Sequence, residues 1–229
     1  MKITWSYSSI KTFAQCPKKY YHLKVAKDVQ DSAGEAALYG TEMHKAAEDY
    51  IKLGTPLPAK FTFLQPFMNA VSQLPGEKHC ELKMGIKKVD GRYVACDFDD
   101  PDYWWHGIAD LLAIDGYKAY SMDYKTGKNA KYADPKQLDL VAYAIFLHFP
   151  KVMLVKSALA FVVSGEFVKK QHLATERSDY IRVFDRELEQ LEVAHESGVW
   201  NAKTSGLCKF CPVLKCEHNT SYPYMMEKR

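Results

Sequence analysis

The stretch HGIADLLAIDGYKAYSMDYKTG, residues 106–127, decides how this sequence folds. Its halves, 106–115 and 118–127, read as two short apolar strands joined by an Asp-Gly turn. The first strand contains Asp110, and the second contains Asp123 and Lys125. Because side chains two residues apart on a strand share a face, Asp123 and Lys125 point the same way. A carboxylate within an apolar strand is costly unless it is paired or binds a metal, so these residues are functional candidates.

Helical and strand patterns surround this stretch. Ser6 or Ser8 can cap a short helix, Pro17 suits the first turn of a second, and Gly54 ends a longer one. Helices are predicted over 18–25, 34–54, 60–73, 135–149 and 178–197, the last with Ser178 as its cap; further strands are predicted over 79–89, 92–98, 157–163 and 166–174. This order predicts an α/β or α+β fold with a central mixed sheet flanked by helices.

The length and composition of the chain predict one intracellular domain. The 229 residues suit a single domain, and 47% hydrophobic residues supply a sizeable core. No run of eighteen apolar residues exists, and the N-terminus lacks the apolar segment of a signal peptide, so we expect a cytoplasmic protein without a membrane span. A net charge of +3 does not by itself argue for a nucleic-acid partner.

Two carboxylates and a lysine on one sheet face can hold Mg²⁺ or Mn²⁺ against a phosphate. Alone, Asp123 and Lys125 could equally be an ion pair at a strand end. His44 and Glu48 are four residues apart, hence on one helical face. Gln137 begins the helix that follows the second strand. A half-buried histidine and an exposed amide are the alternative interpretations of His44 and Gln137.

Together these residues resemble the PD-(D/E)xK nucleases, specifically the RecB-like and AddB-like branch. That branch carries an upstream G-x3-H-x3-E helix, then G-x-x-D, (D/E)-x-K and a Q-x3-Y helix. The corresponding residues here are Gly40, His44, Glu48, Gly107, Asp110, Asp123, Lys125 and Gln137. The sequence departs from the last motif, because Val141 follows Gln137 at that spacing and the nearest tyrosine is Tyr143.

The resemblance implies a Mg²⁺- or Mn²⁺-dependent DNA nuclease with a restriction-endonuclease-like core over about 34–175. His44, Asp110 and Asp123 would bind the metal with the backbone carbonyl of Tyr124. Lys125 would position water, with Glu48 and Gln137 in support. We expect an exonuclease that processes DNA ends in recombination, repair or phage DNA metabolism.

Two alternatives remain at this point. A structure-specific endonuclease on flaps or branches would use the same residues. A catalytically silent DNA-binding module has little reason to keep three costly groups together. Since no G-x4-G-K-(S/T) motif is present, any helicase or recombination protein that works with this chain would be a separate partner.

A second candidate site involves cysteines. The stretch CKFCPVLKC, 208–216, places Cys208, Cys211 and Cys216 at a spacing typical of metal ligands. An iron–sulfur subset of the family takes its first cysteine from an upstream S-x-S-x-(L/I)-x2-F-x2-C-P-x2-Y segment, and Cys16 occupies that position. The resemblance thus implies a [4Fe–4S] cluster that joins the ends 1–30 and 198–219. Zn²⁺, with His218 competing for the last position, is the alternative.

Four further residues are candidate DNA contacts. Lys128 and Lys131, just after the second strand, can contact phosphates, although a solvated loop explains them equally well. Trp105 and Tyr143 are aromatic candidates for the DNA channel.

Overall fold

The computed structural model describes residues 3–30 and 34–220. The helices, in chain order, are α1 Tyr7–Gln15, α2 Pro17–Tyr20, α3 Glu35–Leu53, α4 Gln65–Ser72, α5 Lys136–His148, α6 Arg177–Arg182 and α7 Asp185–Ser197. The strands are β1 Glu77–Val89, β2 Arg92–Cys96, β3 Trp105–Asp115, β4 Lys118–Lys125, β5 Leu154–Phe161 and β6 Glu166–Leu173. In this part of the chain no helix is long and apolar enough to cross a bilayer.

The chain forms two compact units. The larger one, Gly34–Val183, contains a six-stranded sheet in the order β2-β1-β3-β4-β5-β6. Neighbouring strands are antiparallel except for β4 and β5, which are parallel and are joined through α5. The predicted mixed sheet flanked by helices is therefore confirmed.

One apolar cluster of this unit lies between the sheet and the helices α3 and α4. It includes Met43 and Ala47 of α3, Met68 of α4, and Leu111 and Tyr124 of the sheet, all buried. The spacing of Met43 and Ala47 by four residues gives α3 its apolar face. This packing fixes α3, and with it the neighbouring His44, against the central strands.

Helix α5 is held by a buried polar network as well as by apolar packing. Asp139 accepts a hydrogen bond from the fully buried His172 at 2.8 Å. It also forms an ion pair with Lys170, with 2.6 Å between Nζ and Oδ1. Burial opposes the charged form of Asp139, but the hydrogen bonds from His172 and Lys170 hold its pKa below the usual range. The network ties α5 to β6, and α5 begins beside the candidate site.

The smaller unit comprises Met1–Ala33 together with Phe184–Arg229. Ser6 caps α1 in a capping box with Ser9, as the sequence predicts for the start of this helix. Trp200 packs against Phe13, with ring centroids 6.4 Å apart, and stacks on Tyr20 at 5.8 Å. Sequence-distant segments thus share one small core.

Two predictions need comment. The single helix predicted over 178–197 was wrong, because the chain forms α6 and α7 with a break at Val183 and Phe184. Phe184, rather than Ser178, precedes the long helix. The prediction of one nuclease domain over 1–229 stays a prediction.

Candidate functional site

Asp110 lies where two hydrogen-bond ladders of the sheet open. The ladder between β3 and β4 ends at the pair Leu111 and Met122. Two residues beyond Met122, the backbone N–H of Tyr124 donates a hydrogen bond to Asp110 Oδ2 at 2.6 Å. On the other side of β3, the ladder with β1 omits Glu81, opposite Asp110. The carboxylate therefore replaces a missing strand contact, which explains how a buried acid is tolerated here.

Asp123 faces Lys125 on β4, as the period of two predicts. Lys125 Nζ lies 2.6 Å from Asp123 Oδ2, and Gln137 Nε2 donates to Asp123 Oδ1 at 2.5 Å. Burial, and then the charge of Asp110, raise the pKa of Asp123 to about 6, although Lys125 opposes the shift. Two neighbouring carboxylates with one lysine leave an excess of negative charge for a cation.

His44 of α3 contacts Asp110 and the backbone of β4. Its Nε2 lies 3.1 Å from the carbonyl oxygen of Tyr124, and its Nδ1 lies 3.4 Å from Asp110 Oδ1. Burial lowers the pKa of His44, but its hydrogen bonds to Asp110 and Glu81 outweigh this effect and raise the pKa to about 10. A protonated His44 adds a positive charge beside the carboxylates of Asp110 and Glu81.

Glu81 is a site residue that the sequence reasoning missed. Its Oε1 lies 3.7 Å from His44 Nδ1. Over residues 3–30 and 34–220, the one group of three or more His, Cys, Asp or Glu donor atoms within 4.8 Å of one another is His44, Glu81 and Asp110. Glu81 also has a left-handed backbone, with φ of 51°, in the middle of β1. Irregular strand positions of this kind re-aim side chains next to active sites.

The structure does not bring Glu48 to these residues. Its carboxylate instead lies 2.7 Å from Lys52 Nζ and 3.2 Å from Lys45 Nζ, on its own helix. The hydrogen bond from Lys52, assisted by Lys45, holds the pKa of Glu48 below its usual range. A supporting catalytic role for Glu48 has no contact to rest on, and Glu81 is the glutamate beside His44.

Two of the predicted DNA contacts are corrected by burial. Trp105 is 1% exposed and Tyr143 is 5% exposed, so both side chains belong to the core. Burial raises the pKa of Tyr143 to about 12. Lys128 and Lys131 are exposed and remain available to a partner.

Residues 4–216 match the sequence profile of the PD-(D/E)XK nuclease superfamily. The chain belongs to this superfamily. Its structure is similar to that of a protein from Eubacterium rectale described as an exonuclease, with a TM-score of 0.53 and 14% identity over 92% of this chain and 87% of that one. It is also similar to the crystal structure of SSO0001, with a TM-score of 0.49 and 12% identity over 96% of this chain and 88% of that one. No curated protein matches the chain.

Membership of this superfamily makes the chain a nuclease, and the donor atoms suit a divalent metal. Carboxylate and carbonyl oxygens are the ligands of Mg²⁺ and Mn²⁺, and an imidazole nitrogen favours the softer Mn²⁺. The carboxylates of Asp110 and Asp123, the Tyr124 carbonyl and the His44 ring meet this requirement. The site residues come from α3, β1, β3, β4 and α5, so the sheet and two helices fix their positions.

The smaller unit of this nuclease holds the cysteine site. Cys16, Cys208, Cys211 and Cys216 line one pocket. Backbone N–H groups point at two of the sulfurs: Lys203 N lies 3.4 Å from Cys16 Sγ, and Ser205 N lies 3.4 Å from Cys208 Sγ. Hydrogen bonds of this kind stabilise thiolates that ligate metal.

The four cysteines give this pocket an all-sulfur donor set, which suits an iron–sulfur cluster and Zn²⁺ alike. Cys80 is buried in the larger unit, and Cys96 is partly buried.

Proposed function

We propose that the chain is a Mn²⁺- or Mg²⁺-dependent deoxyribonuclease, and specifically an exonuclease that processes DNA ends. The observation that supports this proposal is the group of His44, Glu81 and Asp110, whose donor atoms lie within 4.8 Å of one another, with the pair of Asp123 and Lys125 on the adjacent strand β4. Carboxylate and imidazole donors beside a lysine can hold a metal ion and position water for phosphodiester hydrolysis.

His44, Asp110 and Asp123, with the Tyr124 carbonyl, would hold the divalent ion. When bound, the ion supplies Lewis-acid activation of water and neutralises charge that develops on the phosphate. Glu81 is close enough to His44 to add a further carboxylate oxygen. Binding requires His44 to release the proton that its raised pKa retains at neutral pH.

Lys125 has two roles in this proposal. Its ammonium pairs with Asp123 at 2.6 Å. With Asp123 engaged as a metal ligand, the ammonium would position the attacking water or contact a phosphate oxygen. Gln137 donates its amide N–H to Asp123 and so orients the carboxylate for either partner.

For the cysteine pocket we propose a [4Fe–4S] cluster held by Cys16, Cys208, Cys211 and Cys216. The four-thiol donor set and the N–H groups that face two of the sulfurs support it. Protein purified without oxygen should be brown, and Cys16→Ser should remove the colour while Cys80→Ser retains it. Colourless wild type with stoichiometric zinc would overturn the cluster assignment.

The nuclease proposal is tested with Mn²⁺ and end-labelled DNA. Linear strands and covalently closed single-stranded circles are compared for wild type, Asp123→Asn and Asp115→Asn. Asp115 is the matched control, because it is an exposed aspartate at the end of β3 opposite to the site. Unwinding of longer duplexes would fall to a separate helicase or recombination protein, since the sequence has no nucleotide-binding motif of the G-x4-G-K-(S/T) type.

An exonuclease degrades only the linear strands, and Asp123→Asn abolishes this activity while Asp115→Asn retains it. Cutting of the circle would replace the exonuclease by an endonuclease. Binding of DNA without cutting would favour a catalytically silent module.

A further inference from the structure

The loop 126–135 borders the candidate site at both of its ends. It begins after Lys125 of β4 and leads into α5, whose Gln137 contacts Asp123. Tyr132 is five residues from Gln137, so the two Cα atoms are at most about 18 Å apart even if the chain is fully extended. A nucleic-acid strand bound at the site can therefore reach this loop.

The loop is held in place by both polar and apolar contacts. Ala130 N donates to Glu166 Oε2 of β6 at 2.9 Å, and Ala133 N donates to Ala130 O at 2.9 Å. Ala130 and Ala133 also pack on an apolar cluster below the loop. That cluster consists of Leu138, Leu159 and Phe161. The small residues thus face inward, and the loop presents its larger side chains to solvent on a fixed base.

Tyr132 is the most exposed large apolar side chain of the described residues, at 82%. A single exposed aromatic residue is common on protein surfaces. Tyr132 differs because it lies near exposed lysines. Lys131 Nζ lies 5.4 Å from the ring centroid, and Lys128 is exposed on the same loop. Within 3–30 and 34–220 neither lysine forms a salt bridge, so their charges are available to an anion.

An exposed ring with one lysine over it and a second lysine on the same loop matches the chemistry of an unpaired nucleotide. Single-stranded nucleic acid is bound by aromatic rings that stack on bases and by cations that contact the backbone. A paired duplex hides the faces of its bases within the stack, so it can use the lysines but not the ring. A loop of this composition would therefore favour single strands over duplexes.

We propose that Tyr132, Lys128 and Lys131 form a subsite that binds one unpaired base and its flanking phosphates, so that single-stranded DNA is the preferred substrate. This inference rests on the proposed deoxyribonuclease function. Tyr132 stacks on the base, and the lysines contact the phosphates on either side. The rigid loop keeps the ring exposed before DNA arrives, which reduces the entropy lost on binding.

The test compares Tyr132→Ala, Tyr132→Phe and Tyr117→Ala. Tyr117 is the matched control, because it is 58% exposed, has Lys118 Nζ 5.2 Å from its ring centroid, and lies at the opposite end of β4. Fluorescence anisotropy measures binding of labelled single strands and blunt duplexes without divalent ions, so that no hydrolysis occurs. Thermal unfolding confirms that each variant is folded.

Tyr132→Ala should weaken single-strand binding by roughly 5- to 150-fold, the loss of one stacked base, and change duplex binding by less than about twofold. Tyr132→Phe and Tyr117→Ala should bind as wild type does. Lys131→Ala should reduce the slope of log affinity against log salt by about one.

Single-strand affinity of Tyr132→Ala within twofold of wild type would overturn the subsite, as would an equal loss on duplexes. The nuclease proposal fails separately, if wild type binds single strands but does not cut DNA with Mn²⁺. Wild type that cuts duplexes without binding single strands would overturn the subsite alone.

Discussion

Replacing Glu81 by glycine should make the protein more stable and at the same time weaken its metal site. A residue other than glycine in the left-handed region costs about 1–2 kcal/mol, and Glu81 has φ of 51°. Glycine removes this strain but loses roughly 0.5–1 kcal/mol to the greater entropy of the unfolded chain. The net gain lies between zero and about 1.5 kcal/mol, which corresponds to a rise in Tm of up to about 6 °C for a domain of this size.

The same substitution should lower the affinity for Mn²⁺. The Glu81 carboxylate lies within the group of donor atoms that also contains His44 and Asp110. Loss of a ligand costs at least as much as loss of an outer partner of a ligand, roughly 10- to 100-fold in affinity. Isothermal titration of Mn²⁺ measures this change, and differential scanning calorimetry without metal measures the Tm.

Two further variants separate strain from charge. Glu81→Gln keeps the strained backbone and removes the charge, so it should weaken Mn²⁺ binding without raising the Tm. Asp90→Gly removes a carboxylate from another left-handed position, with φ of 49°, in the turn after β1, and should leave Mn²⁺ affinity unchanged. Unchanged Mn²⁺ affinity in both Glu81 variants would refute the ligand role, and a lower Tm for Glu81→Gly would refute the strain.

Three other predictions follow from the contacts above. Mn²⁺ affinity should rise by up to about tenfold per pH unit from pH 6 to 9, because metal must displace the proton from His44, whose pKa is raised to about 10; a pH-independent titration would contradict this. Asp139→Asn should lower the unfolding free energy by about 3 kcal/mol at pH 7. Because the pKa of Asp139 is lowered in the folded state, this difference should shrink as the pH falls below about 4, and urea titrations at pH 7 and 3 check it. Ser6→Ala should lower the free energy of unfolding in urea by about 1 kcal/mol, because α1 loses its N-cap. An unchanged urea midpoint would show that the cap does not stabilise the protein.

The parts of the fold that follow local rules could be predicted from the sequence. The Ser6 cap and the left-handed Gly54 at the end of α3 depend only on neighbouring residues. The shared face of Asp123 and Lys125 depends only on the period of a strand. The mixed sheet followed from the order of these patterns.

The rest depends on contacts that the sequence does not display. Glu81 stands between Cys80 and Leu82 in an ordinary strand pattern, and its left-handed backbone appears only in the folded sheet. The one available signal was a lone acid in a strand, the same signal that identified Asp110. The alternation of side chains gives a strand two faces but does not show which face packs against helices. Trp105 was therefore predicted to contact DNA although its side chain is buried.

The break between α6 and α7 was missed for a related reason. Ile181, Phe184, Leu188 and Leu191 recur at helical spacing across the break. Residues at that spacing can equally belong to two short helices separated by a break. Periodicity alone does not distinguish the two arrangements.

The composition of the smaller unit has a consequence for synthesis on the ribosome. Its first segment, up to Ala33, is translated before the whole of Gly34–Val183, and its other segment only afterwards. At about 5–20 residues per second, the nascent chain carries this segment for roughly 10–30 s before its packing partners exist. Apolar residues such as Phe13, which later pack on Trp200, are exposed throughout this delay. The larger unit can fold in the meantime, so cellular chaperones would encounter the amino-terminal segment as the last part of the molecule to mature.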